Sequence, residues 1–403
     1  MQECYLPTGN EWVSLPTLQA RTGALESFSF LHMGYKGLIE QRGGASLPLM
    51  TPFFETEGER ASLQSLTWGR KSDWIPTFCG TAGSLAVEGM LLAPVGERGF
   101  LYQLTVRSTS DKPLSSTFGL EGCWASAWHC VNEDKEIDGA RRCYTSLWND
   151  SLIFDMRCGL PLFAFAPMMD QPCSSTFQET DAGIVYRLAH ACTLEPGEAV
   201  TVTFYWGVGF EEVAAATSAK EMRRQGWQHE LQVTTDWLDA RRWPIPDAQL
   251  ERLYNTNLFF CLFYSAGITL DTEELVLVTS RSPRYYVSAA YWDRDSLLWS
   301  FPTVVDADPA LARRMLDYVF GRQRRNLGVH SRYIDGTVLE PGFELDELMA
   351  PVLALERYVG ATGDRDCLED NAIRSGLTDI LRTLRTKRHR SIALYETFLQ
   401  PTD

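Results

Sequence analysis

At about Glu211 the hydrophobic pattern of this chain changes from strand-like to helical, and that change limits it to folds with a β-rich half followed by a helical half. Before it, Phe100-Leu-Tyr-Gln-Leu-Thr-Val106 mixes apolar and polar residues at strand spacing after a turn at Gly96 to Gly99. Ser151 to Met156, Ile184 to Leu188 and Val200 to Trp206 are similar short runs, the last entered through the turn Leu194-Glu-Pro-Gly-Glu198. After it, two Ala/Glu/Gln/Arg-rich helices end at Pro244 and Pro246. Asp247 then caps a helix over Ala248 to Tyr264 whose second half is apolar nearly all round, as in a helix buried on every side. Asp308-Pro309 opens another helix, with apolar residues at Leu311, Met315, Leu316, Val319 and Phe320. A further one carries Leu345, Leu348, Met349, Val352, Leu355 and Val359 and closes at Gly363, and the next begins near Leu368. The expected class is α+β multidomain: an antiparallel β-sandwich over 1–206, a helical linker over 207–246 and a helical domain over 247–403.

A chain of 403 residues is long enough for two domains with large cores. Its net charge of −15, with no basic cluster to offset it, repels phosphate backbones and argues against nucleic acid as a partner. No run approaches the roughly 18 apolar residues of a membrane helix. The start, Met1-Gln-Glu-Cys-Tyr-Leu-Pro7, lacks the basic and apolar regions of a secretory signal. The ten Cys are scattered, which favours reduced, buried thiols and a cytoplasmic location. Cys123, His129, Cys130 and Cys143 fit no compact zinc pattern, and no metal or cofactor is expected. Nothing in the sequence excludes a homo-oligomer.

Two stretches carry chemistry. Tyr291-Trp-Asp-Arg-Asp-Ser-Leu-Leu-Trp299 places Arg294 and Asp295 side by side at a predicted helix start, among Tyr291, Trp292 and Trp299. About fifty residues later, Glu340-Pro-Gly-Phe-Glu-Leu-Asp-Glu347 crowds Glu344, Asp346 and Glu347 into the first turn of another helix. A fixed cation, fixed anions and flat rings are what a sugar site needs: hydroxyls take charge-assisted hydrogen bonds and the C–H face of the pyranose packs on an aromatic ring. The bland alternatives are a helix cap with a structural ion pair, and acids matched to a helix dipole.

Residues 291 to 364 resemble the six-hairpin glycosidases, whose catalytic domain is an (α/α)6 barrel. Tyr-Trp-Asp-Arg-Asp-Ser is similar to the Trp-x-Arg-Asp-Ser segment of glucoamylase-like and metal-independent exo-α-1,6-mannosidase families. The resemblance implies that Arg294 and Asp295 bind hydroxyls of the terminal sugar, and that Glu344, Asp346 and Glu347 line the same pocket with Tyr291 and Trp292. A large β-domain ahead of the helices matches glucoamylase-like, debranching and phosphorylase relatives and favours a glucoside over a mannoside. Leu394-Tyr-Glu-Thr-Phe-Leu-Gln-Pro-Thr-Asp403 is similar to the mannosidase-type segment that carries the general acid, which makes Asp403 the candidate acid. The late Glu that serves as general base in that family has no counterpart. The helices fall well short of what six hairpins require, so the barrel is expected to be incomplete in this chain.

Inverting hydrolysis needs an acid to protonate the leaving oxygen and a carboxylate to activate water on the opposite ring face, about 6.5–9.5 Å away. The expected activity is therefore an inverting exo-α-glycosidase releasing a terminal glucose or mannose from an oligosaccharide. A disaccharide phosphorylase and a sugar-binding fragment without catalysis are the alternatives.

Overall fold

The computed structural model describes residues 6–147 and 151–398. Contacts divide the chain into two compact units: 1–30, 39–129 and 134–240 in the first, and 31–38, 130–133 and 241–403 in the second.

The first unit is built from antiparallel sheets. An eight-stranded sheet runs in the order Ala140–Ser146, Ser151–Cys158, Leu160–Met169, Ala199–Gly209, Gly99–Ser108, Leu85–Leu92, Ile75–Ala82 and Leu63–Lys71. A five-stranded sheet runs Ser174–Thr180, Gly183–Leu194, Leu114–Trp124, Thr51–Thr56 and Glu59–Ala61. A six-stranded sheet includes Val13–Leu18 and Leu25–His32. Aromatic rings on the inner faces join these sheets into one core. Phe165 of the eight-stranded sheet meets Trp124 of the five-stranded sheet at 5.1 Å and Phe28 of the six-stranded sheet at 5.3 Å. Phe154 meets Tyr186 at 5.2 Å and stacks on Phe165 at 4.7 Å. Edge-to-face and stacked pairs of this kind favour one side-chain arrangement over its competitors. The strands run longer than their apolar stretches suggest, because pairing on both sides extends them; Phe100 lies opposite Trp206, and the ladder continues to Arg107 opposite Ala199.

The stretch over 207–246, expected as a linker, holds the end of a strand and two helices. The last strand continues to Gly209, and helix α1 (Glu212–Gln225) packs on it, burying Ala215, Ala216, Ala219 and Met222. Small residues on both surfaces permit the approach: a Cβ on Gly207 would lie 2.1 Å from the carbonyl oxygen of Ala215. Helix α2 (Trp227–Asp239) follows, and the boundary between the units falls after Ala240.

The second unit is mainly helical. Asp247 caps α3 (Ala248–Tyr264) by accepting from the backbone of Gln249 and Leu250 at 2.9 and 2.8 Å, and no residue from Leu258 to Tyr264 is exposed. A short pair, Ala266–Ile268 with Leu275–Leu277, leads to the Trp-rich segment. There Arg294–Ser300 forms a π-helical stretch that passes into α4 (Phe301–Ala307). Helix α5 (Pro309–Gly321) starts at the Asp308 cap, and α6 (Leu345–Thr362) ends at Gly363 in the left-handed region (φ 72°). Helix α7 (Asn371–Thr386) starts at the Asp370 cap. Between α5 and α6 lies a hairpin, Val329–Arg332 with Val338–Phe343, which the helical pattern did not lead one to expect. The buried stripe of α6 is Glu347, Leu348, Ala350, Pro351, Ala354, Leu355 and Tyr358, turned from the expected apolar stripe towards the buried Glu347 side chain. No helix among the described residues is long and apolar enough to cross a membrane.

Candidate functional site

The Trp-rich stretch and the acidic helix start converge within the second unit through Glu347. Its carboxylate accepts from the backbone N–H of Asp293 at 2.6 Å and of Arg294 at 3.3 Å. A carboxylate on the orphan amides of a helix start satisfies donors that the helix cannot. The π-helical stretch is an uncommon geometry that recurs at functional sites. Beneath it, the fully buried Asp293 takes the Tyr291 hydroxyl at 2.5 Å and an ion pair from the fully buried Arg332. Tyr291 and Arg332 also exchange backbone hydrogen bonds, at 2.9 and 3.0 Å, which lace the hairpin to the loop.

Arg294 stands above this foundation. Its Nη1 reaches Asp346 at 2.6 Å, Glu344 at 3.3 Å and Glu347 at 3.7 Å. Both side-chain hydrogen bonds of Arg294 use this one nitrogen, and Nε and Nη2 hydrogen-bond no carboxylate among the described residues. Partial burial works against the guanidinium charge, but the hydrogen bond to Asp346 and the charges of Glu347, Asp346 and Glu344 outweigh it, so Arg294 stays a cation. Burial, and then the charge of Asp293, push the Glu347 carboxyl well above its usual range, with Arg332 and Arg294 pulling against them.

The surface hollow here has a volume of about 480 Å³ and is lined by Asn132, Tyr285, Tyr286, Val287, Trp292, Arg294, Asp295, Trp299, His330, Glu340 and Glu344. Asp295 accepts from the Thr279 hydroxyl at 3.2 Å. Trp292 meets His330 edge-on at 5.6 Å, while Trp299 and Tyr286 are exposed rings. An adjoining hollow of about 500 Å³ is walled by Arg294, Glu344, Asp346, Met349 and Phe398. A larger cleft of about 640 Å³ in the same unit, around Glu274, Arg314, Arg322 and Arg325, contains none of the motif residues, and its single aromatic side chain, Tyr318, spends its hydroxyl on the Ile334 carbonyl. Its chemistry suits a sugar less well than the hollow at Arg294.

The expected site residues thus separate into those facing the hollows and those supporting them. Trp292, Arg294, Asp295 and Glu344 line the first hollow, and Asp346 the second. Tyr291 and Glu347 are fully buried, and their side chains bond Asp293 and the Arg294 amide. Asp403 lies outside the described residues. His330, Glu340, Tyr285 and Tyr286 join the hollow without having been singled out from the sequence. Tyr285-Tyr286, an aromatic pair in a loop, and Asp335-Gly336, a hairpin-turn signal that would have placed His330 on a strand, were the available cues. The carboxylates and imidazole of the hollow do not bring three ligand atoms together at metal-binding spacing.

No family model matches the chain, and no curated protein matches it. Solved structures do. A structure described as a putative kojibiose phosphorylase from human microbiome is similar over 94% of this chain and 56% of its own, with a TM-score of 0.60 at 11% identity. A bacterial glucoamylase complexed with acarbose is similar over 96% of this chain and 59% of its own, with a TM-score of 0.52 at 11% identity. The likeness is one of fold. This chain spans less than two thirds of the length of either structure.

Proposed function

We propose that the hollow at Arg294 binds a terminal sugar unit, and that the protein is a carbohydrate-active enzyme of the inverting exo-α-glycosidase type, releasing glucose or mannose from an oligosaccharide. The observation that carries this reading is the state of Arg294: its Nη1 is fixed by carboxylates, while its remaining donors are left for hydroxyls beside the Trp292 and Trp299 rings. In this reading Asp295 and Glu344 accept from sugar hydroxyls, Trp292 packs against the ring, and Asp346 holds Arg294. Tyr291 and Glu347 fix the loop from behind. Asp403 is the proposed general acid, and no residue of this chain is assigned as the base. The helical unit is taken as part of an (α/α)6 barrel that follows a β-sandwich along the chain, a reading supported by the fold likeness to the two similar structures.

The fold likeness to a structure described as a putative kojibiose phosphorylase supports a second reading, in which phosphate takes the place of the attacking water. Incubation with α-linked gluco- and manno-disaccharides, with and without phosphate and followed by NMR, separates the two. Free sugar of inverted anomeric configuration supports hydrolysis, and sugar 1-phosphate formed only with phosphate supports phosphorolysis. Calorimetry that finds binding without turnover leaves a sugar-binding protein, and absence of both binding and turnover rejects the proposal.

A further inference from the structure

The β-rich unit carries a hollow of its own, of about 530 Å³, on the eight-stranded sheet. Strand pairing sets Thr203, Gln103, Met90 and Thr77 abreast, with Thr201, Thr105, Glu88 and Cys79 in the next row. Side chains alternate between the faces of a strand, and on these strands the aromatic core takes the other positions, among them Phe100 and Trp206. The floor of the hollow is therefore the face turned away from that core. Trp227 and Leu231, four apart on α2, line its side. Several polar groups here are left unused. Gln103 is buried, and its amide nitrogen donates to the Thr203 hydroxyl at 3.2 Å, which leaves its amide oxygen without a donor among the described residues. The side chains of Thr77, Glu88 and Lys71, which also line the hollow, have no polar partner among the described residues. The half-buried Trp227 gives its backbone N–H to the Tyr205 hydroxyl at 3.0 Å, while its indole N–H donates to none of the described residues.

Buried polar groups are ordinarily hydrogen-bonded, so the Gln103 oxygen calls for a donor from outside the chain. The chemistry around it narrows the choice. A phosphate or carboxylate ligand would ask for paired cations, and Lys71 stands with the acid Glu88. A hydrocarbon would leave the Gln103 oxygen and the Thr77 hydroxyl unsatisfied. A sugar hydroxyl both donates and accepts, and the C–H face of a pyranose suits an indole ring. We propose that this sheet face is a second saccharide site, in which Trp227 packs on a pyranose while Gln103, Thr77 and Glu88 take its hydroxyls. The volume is that of a small-molecule site. Glu88 is the one carboxyl among the residues that line it, so the pair of acids needed for glycoside cleavage is missing and the site holds sugar without turning it over. The inference goes beyond the reading of the Arg294 hollow and stands on a different unit of the chain.

The test uses the full chain, with maltotriose and a linear α-mannotriose as probes. The indole ¹H–¹⁵N signal of Trp227, recognised as the one missing from W227F, should move saturably with at least one of them. It should move equally in R294A, where the other hollow has lost its cation. E88A removes an exposed side chain, so thermal unfolding should match the wild type while affinity at this site falls about tenfold. Calorimetry of R294A beside R294A/E88A makes the same comparison without the Trp227 variant. An indole signal that neither trisaccharide moves, a movement lost in R294A, or an affinity untouched by E88A overturns the second site. Movement by an apolar dye such as anilinonaphthalene sulfonate, with none by sugar, overturns the saccharide assignment in favour of an apolar ligand. Equal binding stoichiometry in the wild type and R294A counts against the Arg294 hollow instead and leaves this site standing.

Discussion

The Glu347 side chain accepts the backbone N–H of Asp293 at 2.6 Å, so a residue in the first turn of α6 caps a loop that lies more than fifty positions earlier in the chain. Everything on the hollow side of that bond depends on it. The same carboxylate takes the Arg294 amide and stands 3.7 Å from the Arg294 guanidinium, which places the cation above the helix start. Asp293, pinned through its backbone by Glu347, is held through its carboxylate by Tyr291 and Arg332.

Replacement Glu347→Ala should therefore cost more than a surface acid does. It leaves one buried and one half-buried amide without their acceptor, and Arg332 and Arg294 each lose a neighbouring acid. A loss of about 3 kcal/mol is expected in the unfolding of the helical unit. Glu347→Gln keeps one acceptor oxygen and should lose less. Urea unfolding followed by Trp fluorescence measures both variants, and equal stability of Glu347→Ala and wild type would contradict the capping role.

Arg294 should behave in the opposite way, mattering more for ligand than for fold. Its side chain is partly exposed, and Arg294→Lys keeps the positive charge that Glu344 and Asp346 share. Lysine lacks the planar fork, however: its three donors leave a single nitrogen, so it cannot hold the acids at one end of a fork and present donors along the rest of it. Sugar affinity should fall at least about tenfold, with unfolding changed by less than about 1 kcal/mol. Calorimetry beside a denaturation curve separates the two effects, and unchanged affinity would remove Arg294 from the site.

Much of this was legible from residue pattern alone, for reasons that differ by element. The helix caps at Asp247 and Asp308 are local chemistry, a side-chain oxygen against amides two or three residues on, and the sequence states them directly. The strand at Val200 to Trp206 is a β-branched and aromatic run that few other structures would accommodate. The motif residues Arg294 and Glu344 came together as the aromatic and acidic clustering implied. What could not be read was which acids point outward. Glu344, Asp346 and Glu347 are chemically alike, and only the long-range bond from Glu347 to Asp293 turns the third inward and leaves the first in the hollow. Tyr291 is a similar case, since a ring beside the motif can face a ligand or a buried carboxylate, and pattern alone does not show its hydroxyl bond to Asp293. Helix α1 was read as a linker because its surface residues are charged, yet its Ala face needs only glycines opposite to pack on a sheet.

That packing gives a third prediction. Gly207→Ala puts a Cβ 2.1 Å from the Ala215 carbonyl and 2.4 Å from the Ala219 amide nitrogen, both backbone atoms that cannot turn aside. Helix α1 must move outward, opening the contacts of Ala215 and Ala219. Overpacking of this kind costs about 1–3 kcal/mol, and the loss should appear in the unfolding of the β-rich unit while sugar binding by the helical unit is retained. A variant with wild-type thermal unfolding would show that α1 does not sit tightly on the strand.

The β-rich unit should also carry a pH dependence of its own. Burial, and then the neighbouring Glu97, push the Glu230 carboxyl up to about 7 from 4.5. A carboxyl whose pKa is raised by folding binds its proton more tightly in the folded state, so its contribution to stability is complete below about pH 4.5. It is lost as the pH rises from there through about 7, because charging Glu230 then places an anion in a buried setting beside a second acid. Glu230→Gln removes the titration while keeping the shape. The variant should match the wild type near pH 4 and exceed it by about 2 kcal/mol near pH 8, which is a discounted share of the shift. Unfolding curves across that range measure the difference, and a gap between the two proteins that stays constant with pH would place the ionisation elsewhere.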